Sequence, residues 1–517
     1  MNKRYIPCKG VMPLKDVRRR CFLDGSCLSL IVPISRDASN QYVSKLIQTY
    51  QSITNVELIF VAHKLLNVDP FRLVVNDAWQ HVYEAHVIGA KKATRSCMLF
   101  LDLNQHITVP TLQQFLQPLM DNSADAVLNN MDYEFQKKHR HIPSTIFPQI
   151  TNAFIHRSDL KIDQIVFVPY GLSRKAVDTI GIDTLSNPVE AHVKLVQQGY
   201  VLSHQLPIRN IFQLQNQVWD RKDDRRRIDD YLQAYTKRFP PNSRSKFSDG
   251  ERRLDVLDSV IQGHQPTIRK NDHANNPLSQ LSVIIPAQNE QARIKAVIEE
   301  CMRLGPLEII VVVNGSNDQT AVHAYDAGAT VIQFAEKLGL DTGRAIGAHF
   351  ATGEILLFVD GDFVIAMEDL QPFVQAVERG VDVAVNDLNA SLKQHWPLHL
   401  VTACKYAINV ACNRADLGVG STVAVPHALS RKSIEKVGVG SLANPVLAYV
   451  KLLVNHCVVE NVHHVEVDKI NRFRPHTHYA NRKGCLAPTT SVIAGDHLEA
   501  MIYLGNLQKK GEKKNGL

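Results

Sequence analysis

The sequence predicts an α/β protein of two tandem domains, each a mostly parallel sheet flanked by helices. Three observations support this prediction: a long internal repeat, strand-like segments that alternate with helix-like ones, and an ordinary globular composition. The 517 residues, 45% hydrophobic and 21% charged, are enough for several domains with buried cores.

The chain has a slight basic excess, with 58 Lys and Arg against 51 Asp and Glu and a formal net charge of +7. Such an excess fits an anionic ligand or a membrane surface, and no nucleic acid partner is expected. The nine cysteines form no C-x-x-C pair, and the sequence shows neither a signal peptide nor an apolar run that could span a bilayer. These features predict a cytoplasmic protein without a disulfide framework.

Segments of the first half recur in the same order in the second half. The offsets are 253 to 258 residues, and the matched pairs are 28–33 with 281–286, 88–102 with 346–360, and 172–175 with 429–432. An ordered series of matches at a nearly constant interval predicts a tandem duplication.

The repeat divides the chain into predicted domains. We expect a degenerate domain at residues 1–265, a linker at 266–280, a catalytic domain at 281–508 and a flexible tail at 509–517. The linker is rich in polar and turn-forming residues. The charge-dense stretch 220–253 is expected to form a solvated helical extension of the first domain.

Strand and helix patterns alternate in the second copy. Continuous apolar segments predict strands at 281–286, 308–313 and 354–359, and periodic segments predict helices at 290–304 and 341–352. Sheets of this kind bind ligands at the carboxyl ends of their parallel strands. The polar residues that follow these strands therefore form the candidate site.

The third of these strands is followed directly by Asp360, Gly361 and Asp362. Two carboxylates two residues apart can offer oxygen ligands to Mg²⁺ or Mn²⁺, and the glycine lets the backbone approach closely. A divalent ion there would neutralise a diphosphate. The alternative is a solvated acidic turn. The position of the two aspartates directly after a buried strand argues against that alternative.

The first two strands also end in polar turns. One reads PAQNE, from Pro286 to Glu290, and the other reads NGSND, from Asn314 to Asp318. Their side chains can hydrogen-bond a base and a ribose, although ordinary turn and helix-cap bonds are the alternative interpretation.

Taken together, these segments resemble the GT-A glycosyltransferases of family 2. Members carry P-x-x-N-E, D-G-S-x-D, G-[KR]-x-x-A-x-x-x-G and D-x-D in this order, and the sequence has PAQNE, NGSND, GRAIGAHFATG and DGD. The resemblance implies GT-A (nucleotide-diphospho-sugar transferase, Rossmann-like) domains and a UDP- or GDP-sugar donor. It implies a catalytic and metal-binding role for Asp362, and nucleotide-sugar binding by Pro286, Asn289, Glu290, Asn314, Arg344, Asp360 and Gly361.

Two departures from the family pattern affect the predicted chemistry. Asn314 replaces the usual Asp, which weakens any assignment of uracil as the base. Residues 438–448 contain no acid where inverting members carry an acidic pair, so another group removes the acceptor proton or none does. Asp387, after the strand-like VDVAVN, is the candidate catalytic base, and a strand-end cap is the alternative.

The segment RFRPHTH resembles the C-terminal part of retaining GT-A enzymes, the glucosyl-3-phosphoglycerate and mannosylglycerate synthase group, in which a histidine joins the metal. The resemblance implies that His476 or His478 is a metal ligand, and imidazole is an acceptable ligand for Mn²⁺. His463 and His464 are an alternative site. The sequence leaves inversion and retention open.

The first copy keeps the apolar strands and lacks most of the polar residues. Its replacements are Asn104 opposite Asp362, Ala85 and His86 opposite Gly343 and Arg344, and Asn130 opposite Asp387. A single carboxylate with an asparagine is a poor site for a metal and a diphosphate, so the first copy is predicted to be degenerate. Whether it binds a ligand stays open.

The sequence thus predicts a metal-dependent glycosyltransferase, a hexosyltransferase that uses Mn²⁺ or Mg²⁺. The unknown hydroxyl acceptor, a cell-surface glycan or small glycoside, would enter beside residues 417–422. The apolar segment 395–412 lines an acceptor groove, makes a peripheral membrane contact, or packs between the two copies. The alternative function is a non-catalytic nucleotide-sugar-binding scaffold or sensor.

Overall fold

The computed structural model describes residues 27–36, 40–51, 53–64, 72–102, 107–131, 143–208, 221–271, 276–393, 397–467 and 486–515. Two compact units divide the chain. The first unit is drawn from residues 1–130, 165–191 and 198–216, and the second unit from residues 131–164, 192–197 and 217–517. Among the described helices, none combines the length and the apolar character that crossing a membrane requires.

A seven-stranded sheet forms the centre of the first unit. Its strands are β1 (Leu28–Ile34), β2 (Glu57–Ala62), β3 (Arg72–Val75), β4 (Cys97–Phe100), β5 (Ala126–Leu128), β6 (Tyr170–Ser173) and β7 (Leu202–Ser203). They lie in the order β3-β2-β1-β4-β6-β5-β7. Strand β6 is antiparallel to both neighbours, and the other pairs are parallel.

An eight-stranded sheet forms the centre of the second unit. Its strands are β8 (Thr267–Arg269), β9 (Leu281–Ala287), β10 (Glu308–Asn314), β11 (Thr330–Phe334), β12 (Ile355–Phe358), β13 (Val383–Asn386), β14 (His427–Ser430) and β15 (Val459–His463). They lie in the order β15-β13-β14-β12-β9-β10-β11-β8. Strands β14 and β8 are antiparallel to their neighbours, and the other pairs are parallel.

Helices connect and cover the strands. Numbered along the chain, they are α1 (Asn40–Tyr50), α2 (Val82–Lys92), α3 (Val109–Met120), α4 (Pro143–Phe154), α5 (Arg174–Ile180), α6 (Pro188–Gln197), α7 (Arg221–Arg238), α8 (Leu254–Ile261), α9 (Ile294–Met302), α10 (Thr320–Asp326), α11 (Thr342–Phe350), α12 (Met367–Glu378), α13 (Leu400–Ala411), α14 (Arg431–Val437), α15 (Pro445–Val454) and α16 (Pro488–Asn515). The predicted α/β class, with mostly parallel sheets flanked by helices, is confirmed.

The two sheets share one topology. Without β8, the second sheet repeats the strand order and the strand directions of the first, with β9 in the place of β1. A glycine packs a helix closely onto the central strand in both. A Cβ on Gly89 of α2 would lie 2.4 Å from Ile31, and one on Gly347 of α11 would lie 2.5 Å from Ile284. Descent of both halves from a duplication stays a prediction, and the shared topology is consistent with it.

The central strands are buried along their length, which explains their continuous apolar sequences. Strands β1, β4 and β12 are buried at every residue, and β10 at all but its two ends. Because helices cover both faces of a parallel sheet, neither face needs polar side chains. The predicted strands at 281–286, 308–313 and 354–359 correspond to β9, β10 and β12.

The compact units divide the chain differently from the predicted domains. Helices α4 and α7, which precede the predicted linker, pack with α13 and α16 in the second unit. The stretch 220–253 is therefore not a solvated extension of the first domain. Helix α7 buries Ile228, Tyr231, Leu232 and Tyr235, whose spacing places them on one helix face.

Two shorter segments also differ from the predictions. The predicted linker 266–280 contains β8, whose backbone pairs with β11 and extends the second sheet. Helix α16 continues through Asn515, whereas a flexible tail was predicted from residue 509. Both segments are polar. Polar residues can still pair through their backbones, as in β8, or extend a helix whose earlier turns are buried, as in α16.

Candidate functional site

The turns that follow β9 and β10 hold each other through hydrogen bonds. The backbone N–H of Asn289 donates to Ser316 Oγ over 3.0 Å, and Asn317 N–H donates to Asn289 Oδ1 over 3.0 Å. Gln291 N–H donates to Asp318 Oδ2 over 3.2 Å. The predicted PAQNE and NGSND turns are therefore one continuous rim at the carboxyl edge of the sheet.

Asp318 and Glu290 are part of this rim. Asp318 Oδ1 accepts the N–H of Thr320 at 3.0 Å, and Thr320 Oγ1 accepts the N–H of Glu290 at 2.8 Å. Burial alone would raise the pKa of Asp318, but the hydrogen bonds from Thr320 and Gln291 lower it below its ordinary value. Asp318 is thus an ionised turn residue, as in the alternative interpretation of the motif.

Asn314, at the end of β10, holds the loop that leads to α11. Its Nδ2 donates to the carbonyl oxygen of Gly339 over 3.0 Å, and its Oδ1 accepts the backbone N–H of Leu338. Both ends of the amide are engaged with the protein backbone. The predicted nucleotide contact of Asn314 stays a prediction, and the structure gives this side chain a bracing role that the sequence did not indicate.

Arg344 connects the first turn of α11 to the end of β12. Its Nη2 donates to Asp360 Oδ1 over 2.7 Å, and its Nη1 donates to Asp341 Oδ1 over 2.5 Å. The side chain is 12% exposed. Burial alone would lower the pKa of Arg344, but the carboxylates of Asp360 and Asp341 raise it above its ordinary value. Arg344 is a permanently charged group held between two carboxylates.

Two glycines bring the predicted site residues together around Pro286. A Cβ on Gly361 would lie 3.3 Å from the carbonyl oxygen of Pro286, and one on Gly343 would lie 3.4 Å from its Cβ. Asp360 is 29% exposed at its side chain, and Asp362 is buried with 8% exposure. The structure thus brings Pro286, Gly361, Asp360 and Arg344 to one edge of the sheet.

The sheet register relates Asp387 to Asp360. Phe358 of β12 and Val385 of β13 pair with the same residue, His427 of β14, from opposite sides. Each aspartate follows its paired residue by two positions. Because neighbouring strands are about 5 Å apart, the two chain segments leave the sheet about 10 Å apart.

Asp387 also makes local hydrogen bonds. Its Oδ1 accepts the N–H of Asn389 at 3.1 Å, and its backbone N–H donates to the carbonyl oxygen of His463 over 2.9 Å. His464 Nδ1 donates to the carbonyl oxygen of Asp387 over 2.6 Å. These bonds match the strand-end cap that was the alternative interpretation, and the role as a base stays a prediction.

The predicted third metal ligand cannot be placed. His476 and His478 lie outside the described residues, and no group of three or more His, Cys, Asp or Glu suited to a metal occurs within the described ones. His463, the alternative, is hydrogen-bonded through Nε2 to Asp369 Oδ1 over 2.9 Å. The oxygen donors Asp360 and Asp362 suit a hard divalent cation, and other ligands would have to complete its coordination.

A chain of buried charges, which sequence reasoning missed, continues from Arg344. Asp341 Oδ2 accepts from Arg252 Nη2 at 2.8 Å, and Arg252 pairs with Asp496 at two points, 2.8 and 2.9 Å. Arg244 Nη1 donates to Asp496 over 2.5 Å and to Glu499 over 3.3 Å. The high density of charge at 220–253 hinted at this series, but the partners Asp496 and Glu499 are about 250 residues away in sequence.

Acidic side chains outnumber basic ones in this series. Its acidic members are Asp360, Asp362, Asp341, Asp496 and Glu499, and its basic members are Arg344, Arg252 and Arg244. Burial raises the pKa of Glu499, and Arg244 opposes that shift.

The first unit has a neutral residue in the place of Arg344. His86 of α2 is fully buried, contacts Phe100 edge-on and lies 3.1 Å from the hydroxyl of Tyr170 through Nδ1. Burial lowers the pKa of His86 to about 3, so the imidazole is uncharged at neutral pH. This position cannot offer a cation to a phosphate. Asn104 lies outside the described residues.

Helix α13, in the apolar segment 395–412, is packed inside the second unit. It contacts α4 and α16, and its residues Ala403, Cys404, Ala407 and Ile408 are buried. Of the three interpretations, packing therefore describes the buried face of this helix, which contacts α4 from the predicted first copy and α16 from the second. Ser421 and Thr422 of the predicted acceptor loop are also buried, and Thr422 Oγ1 donates to the carbonyl oxygen of Pro445 over 2.9 Å.

The rim, the ion pair of Arg344 and the carboxylates all lie in one segment with a recognised pattern. Residues 282–408 match the family model of glycosyl transferase family 2. The resemblance drawn from the motifs is confirmed over this segment. The glycosyltransferase segment begins in β9 and ends in α13, and it includes Arg344, Asp360, Asp362 and Asp387.

Curated relatives carry names of glycosyltransferases. An undecaprenyl-phosphate 4-deoxy-4-formamido-L-arabinose transferase of Serratia proteamaculans is 31% identical over 131 residues, which cover 23% of this chain and 40% of that protein. A human dolichyl-phosphate beta-glucosyltransferase is 29% identical over 154 residues, which cover 25% of this chain and 41% of that protein. The chain thus spans about two fifths of the length of these relatives.

Solved structures that resemble part of the chain include a glucosyl-3-phosphoglycerate synthase from Mycobacterium tuberculosis. Its complex with Mn²⁺, uridine diphosphate and glucosyl-3-phosphoglycerate is 20% identical, covering 43% of this chain and 77% of that chain, with a TM-score of 0.30. Another structure of the same enzyme is 16% identical, covering 50% of this chain and 87% of that chain, with a TM-score of 0.32.

Proposed function

We propose that the second unit is a metal-dependent glycosyltransferase that moves a sugar from a nucleotide-diphospho-sugar to an acceptor. The observation that carries the proposal is the Arg344–Asp360 ion pair, which lies beside Asp362 at the carboxyl edge of the sheet, within the glycosyltransferase segment. A cation and two carboxylates at one edge supply opposite charges for a diphosphate and its metal.

The rim is the proposed site for the nucleotide. Pro286, Asn289 and Glu290 are proposed to contact the base and ribose, since they lie on the turn that is locked to the β10 turn. Arg344 is proposed to hold phosphate oxygens, because its guanidinium is always charged and lies in the first turn of α11. A helix N-terminus adds a favourable potential for an anion.

Asp360 and Asp362 are proposed to hold Mn²⁺ or Mg²⁺, with His476 or His478 as a third ligand. Carboxylate oxygens are suitable ligands for a hard divalent cation. When bound, such an ion supplies charge neutralisation to the leaving diphosphate. The residues of the chain orient the donor, and Arg344 adds the fixed positive charge that stabilises the diphosphate as it leaves.

The acceptor is proposed to approach from the side of β13. For a hydroxyl acceptor, Asp387 is the proposed base, since its segment leaves the sheet at the level of Asp360. Relatives named for transfer to undecaprenyl or dolichyl phosphate suggest a second class of acceptor. A phosphate oxygen is already ionised at neutral pH, so such a transfer needs no base and fits the absence of acid at 438–448.

The location of the protein follows from the acceptor. We propose a cytoplasmic protein that contacts the membrane peripherally if the acceptor is a polyprenyl phosphate. The net charge of +7 favours an anionic membrane surface. The first unit is proposed to be catalytically inactive, because its counterpart of Arg344 is the neutral His86.

A ligand panel tests the donor site without an identified acceptor. The full-length protein is heated with Mn²⁺ and with UDP-, GDP- or dTDP-sugars, and a bound donor raises the melting temperature by mass action. One class of donor is expected to stabilise the protein only when the metal is present. If no nucleotide-sugar stabilises it, the proposal is wrong. Stabilisation without transfer or donor hydrolysis would favour the scaffold or sensor function.

A further inference from the structure

The charged side chains that lead away from Arg344 form an unbroken alternating series. From Asp360 the series passes through Arg344 and Asp341 to Arg252, and from there to Asp496 of α16. Arg252 is 5% exposed and Asp496 is 2% exposed at their side chains. Charges so deeply buried are costly unless each has its partners, so the series depends on every member.

Arg252 contacts both sides of this series at once. Its Nη2 donates to Asp341 and to Asp496, its Nη1 donates to Asp496, and its Nε donates to the carbonyl oxygen of Leu340 over 3.2 Å. Burial alone would lower the pKa of Arg252, but Asp496 and Asp341 raise it. The guanidinium is therefore a fixed cation that ties the residues before α11 to the C-terminal helix.

The backbone around Arg252 runs close to the same loop. Leu340 N–H donates to the carbonyl oxygen of Gly250 over 2.9 Å, and Arg253 N–H donates to the carbonyl oxygen of Leu338 over 2.9 Å. A Cβ on Gly339 would lie 2.1 Å from the carbonyl oxygen of Glu251. The loop 338–341 is thus held on one side by residues 250–253 and on the other by the amide of Asn314.

These contacts reach the donor site through one residue. Asp341 has a left-handed backbone with φ 64° at the N-cap of α11, and its carboxylate is shared between Arg252 and Arg344. If Arg252 were lost, Asp341 would be held by Arg344 alone, and if Asp496 were lost, Arg252 would keep its bond to Asp341 but lose its other carboxylate partner. Asp341, which binds Nη1 of Arg344, would then be held less firmly, and Arg344 could turn away from Asp360.

We propose that Arg252 and Asp496 are positioning residues for the donor site, which hold Arg344 against Asp360 through Asp341. The inference rests on the proposed function for its effect on donor binding. The contacts among these side chains do not depend on that function. It assigns a role in donor binding to the segment before the second sheet and to the C-terminal helix. Neither belongs to the glycosyltransferase segment at 282–408.

Asp496→Asn is the first test, since it keeps the size of the side chain and removes its charge. UDP and GDP are titrated into the full-length protein with Mn²⁺, and the nucleotide that binds is expected to lose at least tenfold in affinity. Asp255→Asn is the matched control, because Asp255 pairs with Arg253 at the surface, 66% exposed. The control is expected to leave affinity unchanged.

A double-variant comparison separates positioning from general damage to the fold. If Asp496 acts through Arg344, adding Asp496→Asn to Arg344→Lys should weaken binding no further than Arg344→Lys alone. Additive losses would overturn the proposal. If Asp496→Asn does not fold, Arg252→Lys serves in its place, since a lysine keeps the charge but cannot bridge two carboxylates in the same way.

A crystal structure of the folded variant gives a readout that is independent of activity. The proposal expects the Arg344 guanidinium to move away from Asp360, and an unchanged Arg344–Asp360 pair would overturn it. If the wild-type protein binds neither UDP nor GDP, the failure counts against the proposed function. The position of Arg344 in the variant structure then still decides the role of Arg252 and Asp496.

Discussion

Asp360 and Asp387 leave the sheet of the second unit at the same level, each two residues beyond a residue that pairs with His427. The strand between them, β14, is antiparallel to both neighbours, so β12 and β13 run in the same direction. A donor phosphate at Asp360 and an acceptor at Asp387 would therefore approach the same edge from adjacent positions. A substitution of Asp387 can therefore test whether the acceptor is a hydroxyl that needs a base or a phosphate that does not.

Asp387→Asn is expected to reduce kcat about 100-fold with a hydroxyl acceptor, because the amide cannot take the acceptor proton. The measurement is the rate of transfer over pH 5–9 with hydroxyl acceptors and with a polyprenyl phosphate in vesicles. Unchanged turnover would exclude Asp387 as the base, and activity confined to the vesicles would assign a phosphate acceptor.

Asp362→Asn is expected to abolish transfer, by at least 100-fold, and to remove the metal dependence of donor binding. The amide keeps the shape of the buried side chain and removes one of the carboxylates that face the proposed cation. Melting temperature with donor and Mn²⁺ is the binding readout, and circular dichroism reports folding. Asp326→Asn, at an exposed helix end, is the control. Full activity of Asp362→Asn would end the proposal of a metal at this site.

Asn314→Asp is expected to destabilise the second unit by about 1–3 kcal/mol. The new carboxylate can still accept from Leu338 but cannot donate to the carbonyl of Gly339, so two acceptors would face each other. Urea unfolding of the full-length protein measures the change. Asn455→Asp is the matched control, because Asn455 also donates to a carbonyl oxygen but does so at an exposed position. Equal effects of the two changes would contradict the bracing role.

The first unit is expected to lose stability as the pH falls below 6.5. His86 has a pKa of about 3 in the folded state and about 6.5 when unfolded, so the unfolded state binds more protons between these values. Neutral His86 makes its full contribution to the free energy of unfolding above pH 6.5. This contribution declines below that pH, by about 1 kcal/mol at pH 5.5.

The check for this dependence is hydrogen exchange of the first-unit core at pH 7.5 and 5.5, after correction for intrinsic exchange rates. His86→Phe keeps a ring among the neighbouring aromatic residues and removes the proton-binding group, so it should reduce the dependence. His264→Phe, at an exposed position, should leave it as in the wild type. A dependence that is the same in all three proteins would show that His86 does not titrate as expected.

Much of the fold could be predicted because its strands are buried on both faces. The runs that became β9, β10 and β12 are continuously apolar, and their boundaries agree with the predictions to within about one residue. The sequence also predicted that several motif residues lie close together, because the carboxyl ends of parallel strands meet at one edge of a sheet. These residues are Pro286, Arg344, Asp360 and Gly361. The role of Asn314 could not be predicted, since no sequence pattern reveals its bonds to the backbone of Leu338 and Gly339.

The sequence by itself determined the class of the fold, the edge that carries the polar turns and the family of the segment 282–408. Those properties depend on local patterns of apolar and polar residues. Only the tertiary structure decided that α4 and α7 pack with the second unit, and that Arg252 and Asp496 support Arg344. Burying a charge is favourable only with its partner in place, and here each partner is supplied by a distant part of the chain.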